Sequence, residues 1–263
     1  MKILKKAIIL LLVTMLFGCS SSNNTSDADH LEEIKEKGKI VIGTEGKWAP
    51  WTYEDEDGNL VGYDVEVGKA ICEKLGVEAD FVEAKWDGLL MGLDNGTYDL
   101  VINGVDITEE REEKYDFSDP YAYSNVVLIV ASDNTDINSL EDLDGKTFSN
   151  SAGSSYEALG EYYGATNQAV DTFAETIMMI TDGRVDATIN SLETYNDYLT
   201  EHPDSETKIV CEANALDTAI PFVKGDYNTT FKEAVNEALQ ELRDDGTLSE
   251  LSIKYFGEDI TTR

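Results

Sequence analysis

One twelve-residue pattern occurs twice in this chain. Asn95-Gly-Thr-Tyr-Asp-Leu-Val-Ile-Asn-Gly-Val-Asp106 and Asp182-Gly-Arg-Val-Asp-Ala-Thr-Ile-Asn-Ser-Leu-Glu193 align without a gap, 87 positions apart throughout. Each copy follows an amphipathic run, with Trp86, Leu89, Leu90 and Leu93 before the first and Phe173, Ile177 and Ile180 before the second. Gly96 and Gly183 then supply the residue type that ends a helix in the left-handed conformation. A short apolar strand follows and closes on Asn103 or Asn190. A chain that repeats helix, glycine stop, strand and polar end is built from two similar α/β units. Ligands of open α/β sheets bind beyond the carboxyl ends of the strands. Residues 103–106 and 190–193 are therefore expected to face a shared cleft.

The remaining pattern fits alternating strands and helices. Ile40–Gly43 and Val126–Ala131 read as strands, and Asp64 as the cap of a helix burying Val67, Ala70, Ile71 and Leu75. Thr108 caps a short helix that holds Arg111. Ser154 with Glu157, and Thr172 with Glu175, have capping-box spacing. Phe231, Val235, Ala238, Leu239 and Leu242 form one face of a long helix ending at Gly246. Thr247 and Glu250 open a last one, carrying Leu251 and Tyr255.

The amino terminus indicates export. Lys2, Lys5 and Lys6 precede an apolar run, Ala7 to Phe17, broken only by Thr14. The run is too short to span a bilayer comfortably and reads as a signal peptide. It ends Leu16-Phe17-Gly18-Cys19, which is similar to the bacterial lipobox, so residues 1–18 are expected to be removed and Cys19 lipidated. Residues 19–35 follow as a tether, and Ser20 to Asp29 contains no apolar run to pack. The body beyond it, roughly 230 residues, is long enough for two small lobes.

The whole chain carries a formal charge of −33. Loss of residues 1–18 removes three lysines and no acid, which leaves 17 basic residues against 53 acidic ones, a charge of −36. That balance repels nucleic acid and an anionic membrane surface, although a local pocket need not follow the net charge. Cys72 and Cys211 have no metal-binding spacing and read as small buried hydrophobes. With only two histidines, His30 in the tether and His202 in a polar loop, a histidine metal site or catalytic triad is not expected. No metal and no cofactor is implied.

Four stretches then carry a family resemblance. They are Gly62-Tyr-Asp-Val-Glu-Val-Gly68 with Ala70-Ile-Cys-Glu-Lys-Leu-Gly76; Trp86-Asp-Gly-Leu-Leu90 with Asp106-Ile-Thr-Glu-Glu-Arg111 and Phe117-Ser-Asp-Pro-Tyr121; Asp142-Leu-Asp-Gly-Lys146; and Leu242-Arg-Asp-Asp-Gly-Thr-Leu248 with Lys254-Tyr-Phe-Gly257. In order and spacing the chain resembles the polar amino-acid receptors of ABC importers, the family 3 extracellular solute-binding proteins. The resemblance implies the type II periplasmic-binding-protein fold, two α/β lobes joined by two crossing strands. Residues 36–123 and 219–263 would form lobe 1, residues 126–213 lobe 2, and residues 122–125 and 214–218 the hinge. Such a protein closes on its ligand by hinge motion. It would act as a monomer, lipid-anchored on the extracytoplasmic face of the cell membrane, with an ABC permease and its ATPase as partners.

The resemblance also nominates site residues. Arg111 matches the arginine that holds the ligand carboxylate, where a planar fork pairs bidentately. Backbone N–H groups at Gly104 and Ser155 complete that site in expectation. The ammonium site departs from the family. The usual lobe 2 aspartate is here Ser191, and the usual lobe 1 Ser or Thr is Asp106. The acid is expected to have moved, so that Asp106, with Glu193, takes the ammonium, since a buried ammonium without a carboxylate is costly. Glu45, Trp48, Trp51 and Trp86 are expected to form the side-chain pocket, the indole faces flanking the ligand. Glu45 would meet a cation or a second ammonium.

Thr172-Phe-Ala-Glu-Thr-Ile177, Ala187-Thr-Ile-Asn190, Tyr198-Leu199 and His202-Pro-Asp204 are most similar to receptors for cystine or for polar amino acids in general, which favours cystine. Two other functions stay open from the residues alone. One is an exported dehydratase-like enzyme on the same fold, using Asp106, Glu45 and Glu193 as acids and bases. The other is a sensing adaptor for a membrane receptor.

Overall fold

The computed structural model describes residues 29–263. The expected signal peptide, Cys19 and most of the expected tether lie outside the described residues. The tether was expected to run to residue 35, but helix α1 (His30–Lys37) occupies its end. Asp29 caps this helix, accepting from the N–H groups of Leu31 and Glu32, and Gly38 closes it at φ 71°. Ile34 is fully buried in a core cluster with Phe231. His30 is buried as well, bonded to Asn228 and Asp99 and stacked on Tyr227. Packing of these two side chains is what turns a polar segment into a docked helix.

The first unit is a β-α-β-α-β run. Strand β1 (Lys39–Thr44) leads into a small three-stranded sheet, β2 (Lys47–Trp48), β3 (Thr52–Glu54) and β4 (Leu60–Val61). Helix α2 (Tyr63–Leu75), β5 (Glu78–Glu83), α3 (Trp86–Asp94) and β6 (Leu100–Val101) follow. The parallel order is β5-β1-β6, so the carboxyl ends of these strands point the same way. Helix α4 (Glu109–Lys114) and β7 (Tyr115–Phe117) complete the first passage.

The second unit runs through β8 (Ala122–Ala131), β9 (Thr147–Phe148), α5 (Ser155–Tyr162), β10 (Thr166–Asn167), α6 (Phe173–Thr181), β11 (Ala187–Ser191), α7 (Leu192–Glu201) and β12 (Thr207–Thr218). Its sheet has the order β10-β9-β11-β8-β12. The chain then returns to the first unit as β13 (Pro221–Val223), paired with β7, and ends in α8 (Thr229–Asp244) and α9 (Thr247–Phe256).

The cores are separate. One cluster joins Ile34, Ile40, Tyr63 and Tyr121 to Ile220, Phe231 and Leu248. Two others join residues of β8 and β11 to α5, α6 and α7. Trp48 packs against both sides. The long strands β8 and β12 pair antiparallel from Ala122↔Thr218 to Ala131↔Thr207, with register shifts between Ile209 and Cys211 and between Ala213 and Leu216. Cys72 is buried, Cys211 is partly buried, and both are free thiols.

The sequence repeat is a structural repeat. Gly96 and Gly183 both adopt φ 67°. Thr97 N–H donates to Gly92 O and Arg184 N–H to Met179 O, again 87 positions apart. Asp99 exchanges two bonds with the backbone of Val41 on β1, and Asp186 does the same with Thr147 on β9. Helix starts follow the expected signals in part. Thr172 and Glu175 form a full capping box. Ser154 caps α5, but the Glu157 carboxylate turns to Gly153 N–H and Asn167 instead. Gly62, not Asp64, precedes α2 as its cap residue.

Candidate functional site

The carboxyl ends of the strands of both units meet at one cleft, which encloses about 510 Å³ of space, partly open to solvent. The first unit contributes Glu45 beyond β1, Lys47 and Trp48 on β2, Trp86 at the start of α3, and Gly104 and Asp106 beyond β6. The second contributes Asn150 and Ser151 beyond β9, the start of α5 at Ser155 and Tyr156, the start of α6 at Phe173, and Asn190 at the end of β11.

Trp48 forms one wall. Its ring lies on Gly104, where an added Cβ would sit 2.3 Å from the indole. The φ of Gly104, 54°, is also one that side-chain-bearing residues rarely adopt. Behind Trp48, Trp51 stacks at 5.3 Å and is itself buried against Tyr63 and Phe256. Trp51 was expected in the ligand pocket. It belongs instead to the core that fixes Trp48, and its indole N–H reaches Ser191 Oγ at 3.4 Å.

Asp106 is buried and bridges the units. Its carboxylate accepts from Ser155 Oγ at 2.5 Å and from Thr218 Oγ1 at 3.3 Å. Burial pushes its carboxyl up to about 6, against the pull of the Ser155 bond and the Arg111 charge. Burial likewise pushes Glu45 to about 7, opposed by the Asn103 bond and Lys47.

Arg111 is buried beside Asp106 but does not reach the cavity surface. One guanidinium nitrogen donates to Asp106 O at 2.9 Å and another to Gly153 O at 3.2 Å. Its guanidinium carbon stands 5.4 Å from the Trp86 ring centre. It forms no ion pair within 4.0 Å among the described residues, and burial lowers its pKa. Among the described residues the fork is thus held at the edge of the cleft by two carbonyls and the face of Trp86.

Three further expectations are corrected. The Gly104 N–H is not available to a ligand, because it donates to the buried Asp64 carboxylate at 2.5 Å. Tyr121 OH donates to the same carboxylate, which burial raises to about 7. Ser191 does not line the cleft. It caps α7, accepting from Thr194 N–H, as helix-start chemistry favours. Glu193 is turned away from the cleft. Ser124 on β8 donates to its Oε2 at 2.6 Å, and Oε1 has no partner among the described residues. Of the two stretches expected to face the cleft, Gly104 and Asp106 line it in the first and Asn190 in the second.

Phe173, which lines the cleft, was read only as a core residue. It stands 87 positions after Trp86, and both open their helices. Carrying the repeat upstream would have found it. Asp171 has no such signal. It reaches the cleft through a loop and pairs with Lys85 of the first unit at 2.6 Å.

Residues 40–258 match the bacterial extracellular solute-binding proteins, family 3. The chain belongs to that family. The L-cystine-binding protein TcyA of Bacillus subtilis is 39% identical over 270 residues, covering 98% of this chain and 100% of the relative. Among solved structures, an ancestral arginine-binding protein bound to glutamine superposes with a TM-score of 0.77 at 37% identity, covering 84% of this chain and 99% of its own. The L-cystine solute receptor of Neisseria gonorrhoeae, in its unliganded open conformation, superposes at 0.61, also at 37% identity, covering 90% and 100%.

Proposed function

We propose that this protein captures a polar amino acid, with cystine the favoured ligand, in the cleft between its two α/β units and delivers it to an ABC permease. The arrangement that carries this reading is the buried Arg111–Asp106 corner beside a cleft walled by Trp48, Trp86 and Phe173. Arg111 offers a carboxylate site, Asp106 offers an ammonium site, and the rings take the side chain. Closure at β8 and β12, near residues 122–125 and 214–218, would let a ligand carboxylate replace the Gly153 carbonyl as the partner of Arg111. Better superposition on a ligand-bound relative than on an open one, at equal identity, supports an arrangement close to the closed state.

The reading is of binding, not turnover. A saturating ligand recovered after denaturation should be chemically unchanged, and a converted product would favour the enzyme. Lipidation of Cys19 would hold the body at the extracytoplasmic face, and Cys19→Ala should release it from the membrane fraction.

A thermal-shift panel of the twenty amino acids and cystine tests the core of the reading. A ligand present at about 100 times its Kd stabilises the fold by about 2.7 kcal/mol, which in a body of this size raises Tm by roughly 5–10 °C. One such shift, absent from Arg111→Ala, is the expected result. A shift that survives Arg111→Ala unchanged overturns the assignment of the carboxylate site.

A further inference from the structure

Asp64 is fully buried, and it does not line the cleft. It stands in the first turn of α2, where an acid ordinarily serves its own helix. Its carboxylate does not cap α2, and it forms no ion pair within 4.0 Å among the described residues. Both oxygens are given to other segments instead. Oδ2 accepts from the Gly104 N–H at 2.5 Å, and Oδ1 accepts from the Tyr121 hydroxyl at 2.8 Å. The preceding residue grips Tyr121 as well, since Tyr63 OH donates to Tyr121 O at 3.0 Å. A buried carboxyl without a cation is costly, and an apolar core would avoid that cost. What these bonds secure is geometry.

Both ends of the link bear on the cleft. Gly104 carries the Trp48 ring, and Asp106 follows two residues later. Tyr121 immediately precedes the crossing strand β8, and its N–H donates to Thr218 O, the last residue of β12, at 2.9 Å. The same loop is bonded to the end of β12 directly. Ile107 N–H donates to Asp217 O at 2.8 Å, and Ala219 N–H donates to Val105 O at 3.0 Å. Segment 104–107 is thus tied to one crossing strand through its own backbone and to the other only through Asp64. We propose that Asp64 is a positioning residue, which fixes the Gly104 turn, and with it Trp48 and Asp106, to the start of β8. The proposal rests on the cleft reading above. The link does not depend on the charge of Asp64. An ionised carboxylate accepts from the Tyr121 hydroxyl. A neutral carboxyl donates its proton to that hydroxyl oxygen, and its other oxygen keeps the Gly104 N–H. Asp64 differs in this from Asp106, whose charge the ligand needs.

The test uses the full chain in detergent micelles, with L-cystine titrations and fluorine NMR of protein labelled with 5-fluorotryptophan. The chain has three tryptophans, so the Trp48 resonance is readily assigned. Asp64→Leu keeps the shape and loses both bonds. It is expected to weaken cystine binding at least about tenfold, the scale of losing hydrogen bonds to a charged group, and to move the ligand-free Trp48 resonance. Asp64→Asn keeps an acceptor for Gly104 and a donor for Tyr121, so affinity and resonance are expected to return to near wild type. Tyr121→Phe cuts only the link to β8 and keeps the test open if Asp64→Leu does not fold. It is expected to cost at least about threefold in affinity. Ile71→Ala opens a cavity under the same helix and controls for lost stability alone. Affinity within about twofold of wild type in both Asp64→Leu and Tyr121→Phe overturns the proposal. So does an equal loss in Ile71→Ala, or a Trp48 resonance that moves no more in Asp64→Leu than in Ile71→Ala. If wild type does not bind cystine, the favoured ligand falls, and the ligand-free Trp48 resonance still decides whether Asp64 sets the cleft wall.

Discussion

Asp106 and Glu193 hold the same place in the two copies of the repeat and have opposite surroundings. Through the glycine stop and the aspartate that bonds the neighbouring strand, Asp99 or Asp186, the copies agree. They separate one residue after the shared asparagine. In the first copy that residue is Gly104, which turns the chain at φ 54° and cannot cap a helix with a side chain. The chain stays extended to Thr108, so Asp106 pairs with Thr218 and its carboxylate reaches Ser155 of the other unit. In the second copy the residue is Ser191, which caps a ten-residue helix at once. Glu193 then falls in the first helical turn and is turned onto Ser124 of the crossing strand β8. The point at which a helix starts decides whether the same acid position serves the cleft or the crossing strands.

The sharpest way to break this comparison is to neutralise each acid in turn. Asp106→Asn is expected to weaken amino-acid binding by at least about 30-fold, because the ligand ammonium loses its charged partner in a buried site. Glu193→Gln is expected to leave affinity within about twofold. Its effect should fall on the ligand-free fold, where burial raises the Glu193 pKa. A raised folded pKa means that stability is lost as pH rises, so the gain from Glu193→Gln should be larger at pH 8 than at pH 4. Equal losses of affinity in both variants, read by titration calorimetry, would remove the division of labour.

Much of this difference could be read from residue types. The repeat, its glycine stops and the strand ends predicted a two-unit fold with a cleft between them. Ser191 in place of the usual aspartate, and Asp106 in place of the usual Ser or Thr, were visible as departures. What the residues could not reveal was depth. Arg111 and Trp51 carry the right chemistry, yet one lies just behind the cavity surface and the other a full ring behind Trp48. Asp64 resembles a helix cap in the sequence, but its carboxylate lies under Gly104, forty positions away, and local patterns do not register such a contact. His30 was lost for the same reason, since its partners Asp99 and Asn228 are distant in the chain.

A milder test exchanges the residues that set the divergence. Gly104→Ala places a methyl against the Trp48 ring and imposes a strained φ, which is expected to cost about 1–3 kcal/mol. Affinity should fall with it, because Trp48 must move off the cleft wall. Ser191→Ala removes a helix cap and is expected to cost about 1 kcal/mol with affinity retained. Denaturant melts with and without ligand separate the two. A Gly104→Ala protein with unchanged affinity would mean that Trp48 is not a wall of the binding site.

The last effect is the titration of Asp106 itself. Its folded carboxyl is raised to about 6 by burial, whereas an unfolded aspartate titrates near 3.9. Between those values the folded state holds the extra proton, so the ligand-free protein loses stability as pH rises through that window. Glu45 and Asp64, both raised to about 7, extend the same trend toward neutrality. Ligand affinity should run the other way. An ammonium needs Asp106 ionised, and at pH 5 only about one molecule in eleven has that carboxylate charged, so affinity should fall about tenfold between pH 7 and pH 5. With a ligand that carries a single ammonium, Asp106→Asn should flatten this slope and Glu193→Gln should not. A slope that persists in Asp106→Asn would assign the ammonium to Glu45, the other cleft carboxyl that titrates in this range, and would move the head-group site outward along the cleft.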